Sequence, residues 1–491
     1  MAYKHGIYVT ETSAALTEPD SSDLQPQVVV GTAPIFLADD PAVAVGKPIL
    51  CKTRAEAVAA LGYSDDWSAF TLCQSISACF DLFSVAPVIF INVLDPNNTA
   101  HTTKNSASAL TPANNVVVYE KDYVLLSSMS VKADTATFVR DADYTLAFNS
   151  AGKVVITLIS AAAKAAVSLS VTSTSLKPSG VTASDIIGTV DATTGAESGL
   201  KLLRQVYPRF GVNAGLLLAP GWSQDKTVAA ALQAACEDIN GCFEAECLID
   251  IDSTASGAML YTGVEAQKEK QEITSEHAIA LWPKVKSSAG KTYDYSAVYG
   301  ALLSAGDAVN GGTPGTADNQ SLSGANIKIA STVLSSGAEV LLDQAQGNVI
   351  NAGGVVTAIS QGGFVAWGSN TAVYPAVTAA KDRWISVRRF FTFWANSFIR
   401  KYRAKVGNSA NYRLIESIVD AENIRGNAFV ANGYCAKAEI RFSEADNPVE
   451  SILAGKICFQ MVLARYTPAE DIELTLTFDP NALASALSGG E

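Results

Sequence analysis

The chain has 491 residues, more than a single hydrophobic core of about 250–300 residues accommodates, so several domains are expected. Hydrophobic residues make up 48% and charged residues only 17%, which excludes a largely disordered chain. A net charge of −13 excludes general affinity for nucleic acid or anionic membrane, because phosphate binding needs an excess of Lys and Arg. The first residues carry no charged-then-apolar pattern of a secretory signal, and no stretch approaches the roughly 18 apolar residues of a membrane span. A cytoplasmic place of synthesis is the expectation. Cys236, Cys242 and Cys247 lie six and five apart, and Cys73 and Cys79 six apart. With no C-x-x-C pair, the spacing fits reduced core thiols and no metal site.

Residues 1–27 read as an arm: the alternating stretch Gly6, Ile7, Tyr8, Val9, Thr10, Glu11 is followed by Thr, Ser, Asp and Pro up to Pro26. Ile7 and Val9 would share one strand face. Residues 28–96 open an α/β core, with buried-type strands at 28–31 and 88–93 and helical patterns at 53–61 and 67–83. Residues 97–199 differ in kind. They are rich in Ser, Thr, Ala and Val, with strand-like runs at 116–119, 143–148 and 153–159 and a hairpin loop at Asn149-Ser150-Ala151-Gly152, which predicts an inserted β-sandwich domain.

From 200 to 374 helix and strand alternate, helical at 200–207, 225–240, 264–274 and 295–309, extended at 215–219, 245–251 and 278–282. That spacing is the signature of a mainly parallel sheet. Gly-rich stretches at 310–315 and 353–363 precede a C-terminal α+β domain over 375–470, with helices at 385–405 and 412–423 and strands at 436–442 and 456–466. Residues 471–491 form a terminal strand and tail. Ile472, Leu474, Leu476 and Phe478 lie on one face of that strand, and Glu473, Thr475 and Thr477 on the other. The tail from 481 reads as mobile.

In this order of parts the sequence resembles the contractile tail sheath family of phages and of phage-derived bacteriocins and injection systems. The resemblance runs along essentially the whole chain. It is carried by His5-Gly6-Ile7-Tyr8-Val9-Thr10-Glu11, by residues 28–34, by Asp143-Tyr144-Thr145-Leu146, and by Lys381-Asp382 with Val387-Arg388-Arg389. It implies a core of subtilisin-like fold without a catalytic site. It also implies a homo-oligomer of hexameric rings stacked into a helical sheath, and arms that pair with the C-terminal domains of neighbours. The partners it implies are a tail tube protein and baseplate and terminator proteins, in a virion assembled in host cytoplasm, with no cofactor, no direct nucleic-acid contact and no membrane insertion.

An isolated arm loses roughly 1–2 kcal/mol per ordered residue while each hydrogen bond returns only about 1. Its ordering is therefore expected to depend on assembly. Between Lys381 and Arg413 there are nine basic residues and one acidic, Asp382. Phe391, Trp394, Phe398 and Tyr402 recur there at helical spacing and are expected to face a core, leaving Arg400, Lys401, Arg403 and Lys405 largely outward. Two readings stand: a solvated helix end complementing its own dipole, or, as the resemblance implies, a face for an acidic tail tube.

A hydrolase is the competing class. Only His5, His101 and His277 are available as bases, and His277 alone falls in the α/β core, with no G-x-S-x-G elbow to supply a nucleophile. Asp250 and Asp252, two apart at a strand end, read as solvated carboxylates rather than a cation site. No Walker-type phosphate loop occurs, so energy for motion has to come from the assembly.

Overall fold

The computed structural model describes residues 25–133 and 136–488; the expected arm strand at 6–11 lies outside them. Eight strands form the largest sheet, numbered within it in chain order: β1 Gln27–Gly31, β2 Ile49–Cys51, β3 Val88–Asn92, β4 Leu216–Leu218, β5 Glu246–Asp250, β6 Ala278–Leu281, β7 Val355–Ser360 and β8 Phe364–Trp367. Their spatial order is β8-β7-β6-β5-β4-β1-β3-β2. The inner six run parallel, and an antiparallel strand closes each edge. β1, β3 and β5 are buried at every residue, which is why they read as unbroken apolar runs and not as alternating ones.

Helices cover both faces. α1, Arg54–Leu61, starts where the Thr53 side chain accepts the Glu56 N–H, and α2, Leu72–Ile76, continues as a π-helix over Ser77–Leu82. α3, Lys226–Ala235, is capped by Asp225 and turns Val228, Ala229 and Leu232 inward. α4 spans Val264–Lys270 and α5 spans Tyr295–Val309. The expected helix at 200–207 is a 3-10 helix, Gly199–Gln205, followed by one helical turn. All eight cysteines are free thiols, with Cys242 and Cys458 partly exposed and the others buried.

The segment between β3 and β4 forms a four-stranded and a three-stranded sheet. They share a separate core around Tyr119, Val131, Tyr144, Ile156 and Val171. The Asn149 side chain accepts the N–H groups of Ala151 and Lys153 and so closes its hairpin.

One sheet was not legible from the sequence. Lys284–Ser287, Thr292–Tyr293, Ile329–Val333 and Glu339–Val340 form an antiparallel sheet in which Lys284–Ser287 pairs with both Thr292–Tyr293 and Ile329–Val333. The Gly-rich stretch at 353–363 likewise holds β7, with Gly362 at φ +76° in the turn to β8.

Toward the C-terminus, α6 Ile385–Tyr402 and α7 Tyr412–Ala431 pack against a ribbon of β9 Cys435–Arg441 and β10 Gln460–Arg465. A lone two-stranded ribbon is marginal in water, and packing on helices is what holds it. α6 is buried on a wider face than its aromatic stripe suggests. Phe390, Phe393 and Trp394 are buried, whereas Phe391, Phe398 and Tyr402 are half-buried, because the large core lies on one side of α6 and α7 on the other. The tail departs from expectation too: α8, Pro480–Leu487, forms where the Asp479 side chain accepts the Asn481 and Ala482 N–H groups. Among the described residues no helix is long and apolar enough to cross a membrane.

Candidate assembly surfaces

Open α/β sheets bind ligands beyond the carboxyl ends of the strands, where the strand order reverses. Here that point lies between β1 and β4, and side chains fill it. Trp222 Nε1 donates to Thr71 Oγ1 (3.3 Å), which also accepts the Thr32 N–H (3.3 Å). Beside them Asp294 accepts from Gln74 (2.9 Å) and Gln224 (2.8 Å) and pairs with Lys284.

Asp250, expected to be solvated, is buried at the end of β5. It accepts from Ser223 Oγ (3.1 Å), Ser296 Oγ (2.6 Å) and the Ser296 N–H (2.8 Å). Burial and the neighbouring Asp294 charge push its pKa up to about 6, against the lowering by Ser296 and Lys284. Asp252 instead closes a turn by accepting the Thr254 N–H. Asp250 thus ties the start of α5 to the end of β5.

His277 sits at the entry to β6 with both ring nitrogens toward carboxylates, Nδ1 3.9 Å from Glu246 and Nε2 4.0 Å from Glu244. A triad base needs a serine on one of those nitrogens. Burial works against its protonated form, but Glu246 and Glu244 outweigh it and raise the pKa. Arg388 of α6 reaches Glu244 (3.7 Å) from the other side, so the cluster joins the core to the C-terminal helices. His101 is likewise buried, facing Asp185 at 3.5 Å.

The basic window is largely spent within the chain. Lys381 pairs with Asp382, Arg389 with Asp307, Arg388 with Asp382 and Glu244, and Arg383 with Glu470. Of the four residues expected outward, Arg400 is half-buried. Lys401, though exposed, binds the fully buried Glu422 at 2.8 Å, together with Tyr402 and Arg425. Arg403 and Lys405 are exposed, Arg403 with its guanidinium 5.1 Å from the Tyr207 ring. Sequence spacing could not separate these roles, since the acidic partners lie far away in the chain.

The expected terminal strand at 471–478 is not formed: the segment is irregular and pairs with no strand among the described residues, and Ile472, Leu474, Leu476 and Phe478 are 84, 79, 85 and 74% exposed. The segment is anchored at its root. Glu470 accepts from Arg383 Nη2 (2.6 Å) and Asn370 Nδ2 (3.3 Å), and the Arg383 guanidinium lies over the rings of Tyr374 (4.4 Å) and Trp384 (4.0 Å). Nothing in the sequence singles out Glu470, one carboxylate in the turn before the alternating run.

A large two-faced α/β sheet, a separately cored β insertion and a helix-backed ribbon trailed by an exposed apolar segment make up a fold shared with contractile sheath subunits. Chains with this fold occur in the PVC extracellular contractile injection system sheath in its contracted state (TM-score 0.56, 15% identity, 98% of this chain and 99% of that one). They also occur in the contracted helical sheath of the anti-feeding prophage (TM-score 0.55, 15% identity, 96% and 99%), and in the anti-feeding prophage baseplate, 6-fold symmetrised (TM-score 0.53, 14% identity, 98% and 100%). By sequence the chain is similar to tail sheath proteins of phages. It is 25% identical over 467 residues to the tail sheath protein of Burkholderia phage BcepMu, covering 92% of this chain and 91% of the relative. It is 26% identical over 315 residues to that of Escherichia phage P2, covering 62% and 74%. No family model matches the chain.

Proposed function

We propose that this sheath subunit works by strand exchange: the arms at residues 6–10 and 472–478 leave their own subunit and pair with the C-terminal ribbons of neighbours. The observation that supports this is the segment 471–478, exposed, alternating and unpaired among the described residues. Burying its four apolar side chains at roughly 1.5–3 kcal/mol each offsets the entropy of ordering it. Subunits joined head to tail generate a helical polymer. Held extended around a tail tube, the polymer contracts when released, as rigid cores slide into better mutual burial and the arms preserve connectivity. Work of this kind would drive the tube through a bacterial envelope, with the chain a virion component bounded by baseplate and terminator proteins.

The division into an arm (1–27), a two-part core (28–96 and 200–374), an insertion (97–199), a C-terminal domain (375–470) and a terminal strand and tail (471–491) belongs to the same reading, and three separate hydrophobic clusters support it. So does the subtilisin-like reading of the core, supported by the single reversal of strand order at β1. Catalysis is not part of it, since the crevice at that reversal is filled and His277 faces carboxylates. For tube contact, the basic helix end narrows to Arg403 and Lys405, with Arg400 at its margin, because Lys401 serves Glu422.

The test is deletion of residues 471–491 or 1–12 in the full chain, followed by negative-stain electron microscopy and size-exclusion chromatography. Folded monomers that no longer form striated tubes are expected; tubes of normal length from either truncation would sink strand exchange.

A further inference from the structure

The roots of both proposed arms are seated on one element, α6. Gln25, the first described residue, lies against Gly215 at the entry to β4, where an added Cβ would come within 2.4 Å of the Gln25 carbonyl oxygen. Its side chain reaches α6: Gln25 Nε2 donates to the Phe393 carbonyl (3.3 Å), and Asn396 Nδ2 donates to Gln25 Oε1 (3.3 Å). Asn396 is fully buried and is fixed in turn by Glu244, whose N–H it accepts (3.1 Å) and whose carbonyl accepts from it (2.7 Å).

At the other end, Glu470 follows soon after β10 closes at Arg465. Arg383 Nη2 donates to one of its oxygens (2.6 Å) and Asn370 Nδ2 to the other (3.3 Å), while Arg383 Nε donates to Asn370 Oδ1 (2.7 Å). The Arg383 guanidinium also lies over the ring of Trp384, the residue that precedes the first turn of α6. Hydrogen bonds between ionised partners are the strong ones, and a guanidinium held on an aromatic face is preorganised to make them. β10 has one strand neighbour, β9, and a two-stranded ribbon is weak by itself. A pull applied directly to the end of β10 would strip it one hydrogen bond at a time.

We infer that these two clasps carry tension: a pull between the two arms enters and leaves through α6, by Gln25 with Asn396 at one end and by Glu470 with Arg383 at the other, and bypasses β10. This rests on the strand-exchange reading, which makes the arms the links of the polymer, and adds which side chains take up the strain. α6 suits the task. Its 18 residues span about 27 Å at 1.5 Å per residue, and Arg388 and Arg389 tie its first turns to Glu244 and Asp307 of the core. Glu470, Arg383, Gln25 and Asn396 are positioning residues. Because Glu470 is exposed, removing its side chain should cost the resting monomer little and matter only when the arm is pulled.

Single-molecule pulling of the full-length monomer tests this, in a background with Cys242 and Cys458 changed to serine. One handle is fixed at the N-terminus, and the second either at Glu473→Cys, beyond the Glu470 clasp, or at Thr467→Cys, before it. The first rupture should need more force from the 473 handle than from the 467 handle. Glu470→Ala should lower the 473 value to the 467 value and leave the 467 value unchanged, with Glu470→Gln, which still accepts from Arg383, in between. No lowering from the 473 handle overturns the inference, and so does equal lowering from both handles, which marks a general loss of stability. Gln25→Ala should also lower the 473 value. Links in series yield at the weakest, so Gln25→Ala with Glu470→Ala should rupture at the force of the weaker single variant; a further drop in the double variant overturns the path through α6. The pulling needs no polymer. Tubes of normal length from the 471–491 deletion therefore sink strand exchange without touching these forces, whereas forces that ignore Glu470 sink the clasps and leave strand exchange standing.

Discussion

The large sheet and the C-terminal ribbon solve the same problem in opposite ways. In the sheet, each outer strand is short, antiparallel and backed by helices or loops, and the crevice where strand order reverses is filled by Thr71, Trp222, Gln74 and Asp294. In the ribbon, two strands share seven core residues with α6 and α7, while the segment that follows β10 displays four large apolar side chains to solvent. On the strand-exchange proposal, the first region is the part that stays rigid and the second the part that makes the polymer.

The comparison breaks most sharply at the junction of the two regions. Arg389→Ala leaves Asp307 buried without its partner, and roughly 3–5 kcal/mol of stability should be lost, read from denaturant midpoints of the monomer. Gly426→Ala forces a Cβ against the Ala438 carbonyl, and overpacking of this kind costs about 1–3 kcal/mol; limited proteolysis should place the loosening in the ribbon and not in the sheet. Leu474→Asp with Leu476→Asp should leave monomer stability unchanged to within about 0.5 kcal/mol, because both side chains are already in water, yet abolish sheath formation by electron microscopy.

A smaller effect sharpens the picture of the filled crevice. Folded Asp250 keeps its proton up to about pH 6, whereas an unfolded Asp loses it near pH 4. The native state binds more protons between those values, so this group's contribution to stability falls as pH rises through that window. Asp250→Asn should flatten the dependence of urea midpoints on pH there. Last, Arg403→Gln with Lys405→Gln should spare monomer stability and weaken only assembly on a tail tube, measured by co-sedimentation, while Lys401→Gln should lower stability through Glu422.

Much of the fold was legible. The runs at β1, β3, β5 and β6 are largely apolar because both faces are covered, whereas the strict alternation of Ile472, Leu474, Leu476 and Phe478 forms no strand within the described residues, where no edge pairs with it. The small antiparallel sheet over Lys284–Val340 and strands β7 and β8 were missed, since two-residue strands and Gly-bounded turns carry little periodicity. Asp250 was misjudged because alternation gives a face but not the helix start that covers it. The tail read as mobile because a short run rich in Ala and Ser hides the capping by Asp479.

The sequence by itself determined which core segments must be buried, that apolar side chains alternate from Ile472 to Phe478, and that positive charge concentrates between Lys381 and Arg413. Burial and alternation are properties of nearby residues, so local order suffices to read them. Only the tertiary structure decided that most of this charge is neutralised by Asp307, Glu244, Glu422 and Glu470, and that Asn423 of α7 takes up both backbone groups of Ile440 on one edge of the ribbon. Those outcomes depend on which distant groups meet, and the energy of an ion pair or of an edge hydrogen bond is fixed by that meeting and not by spacing along the chain.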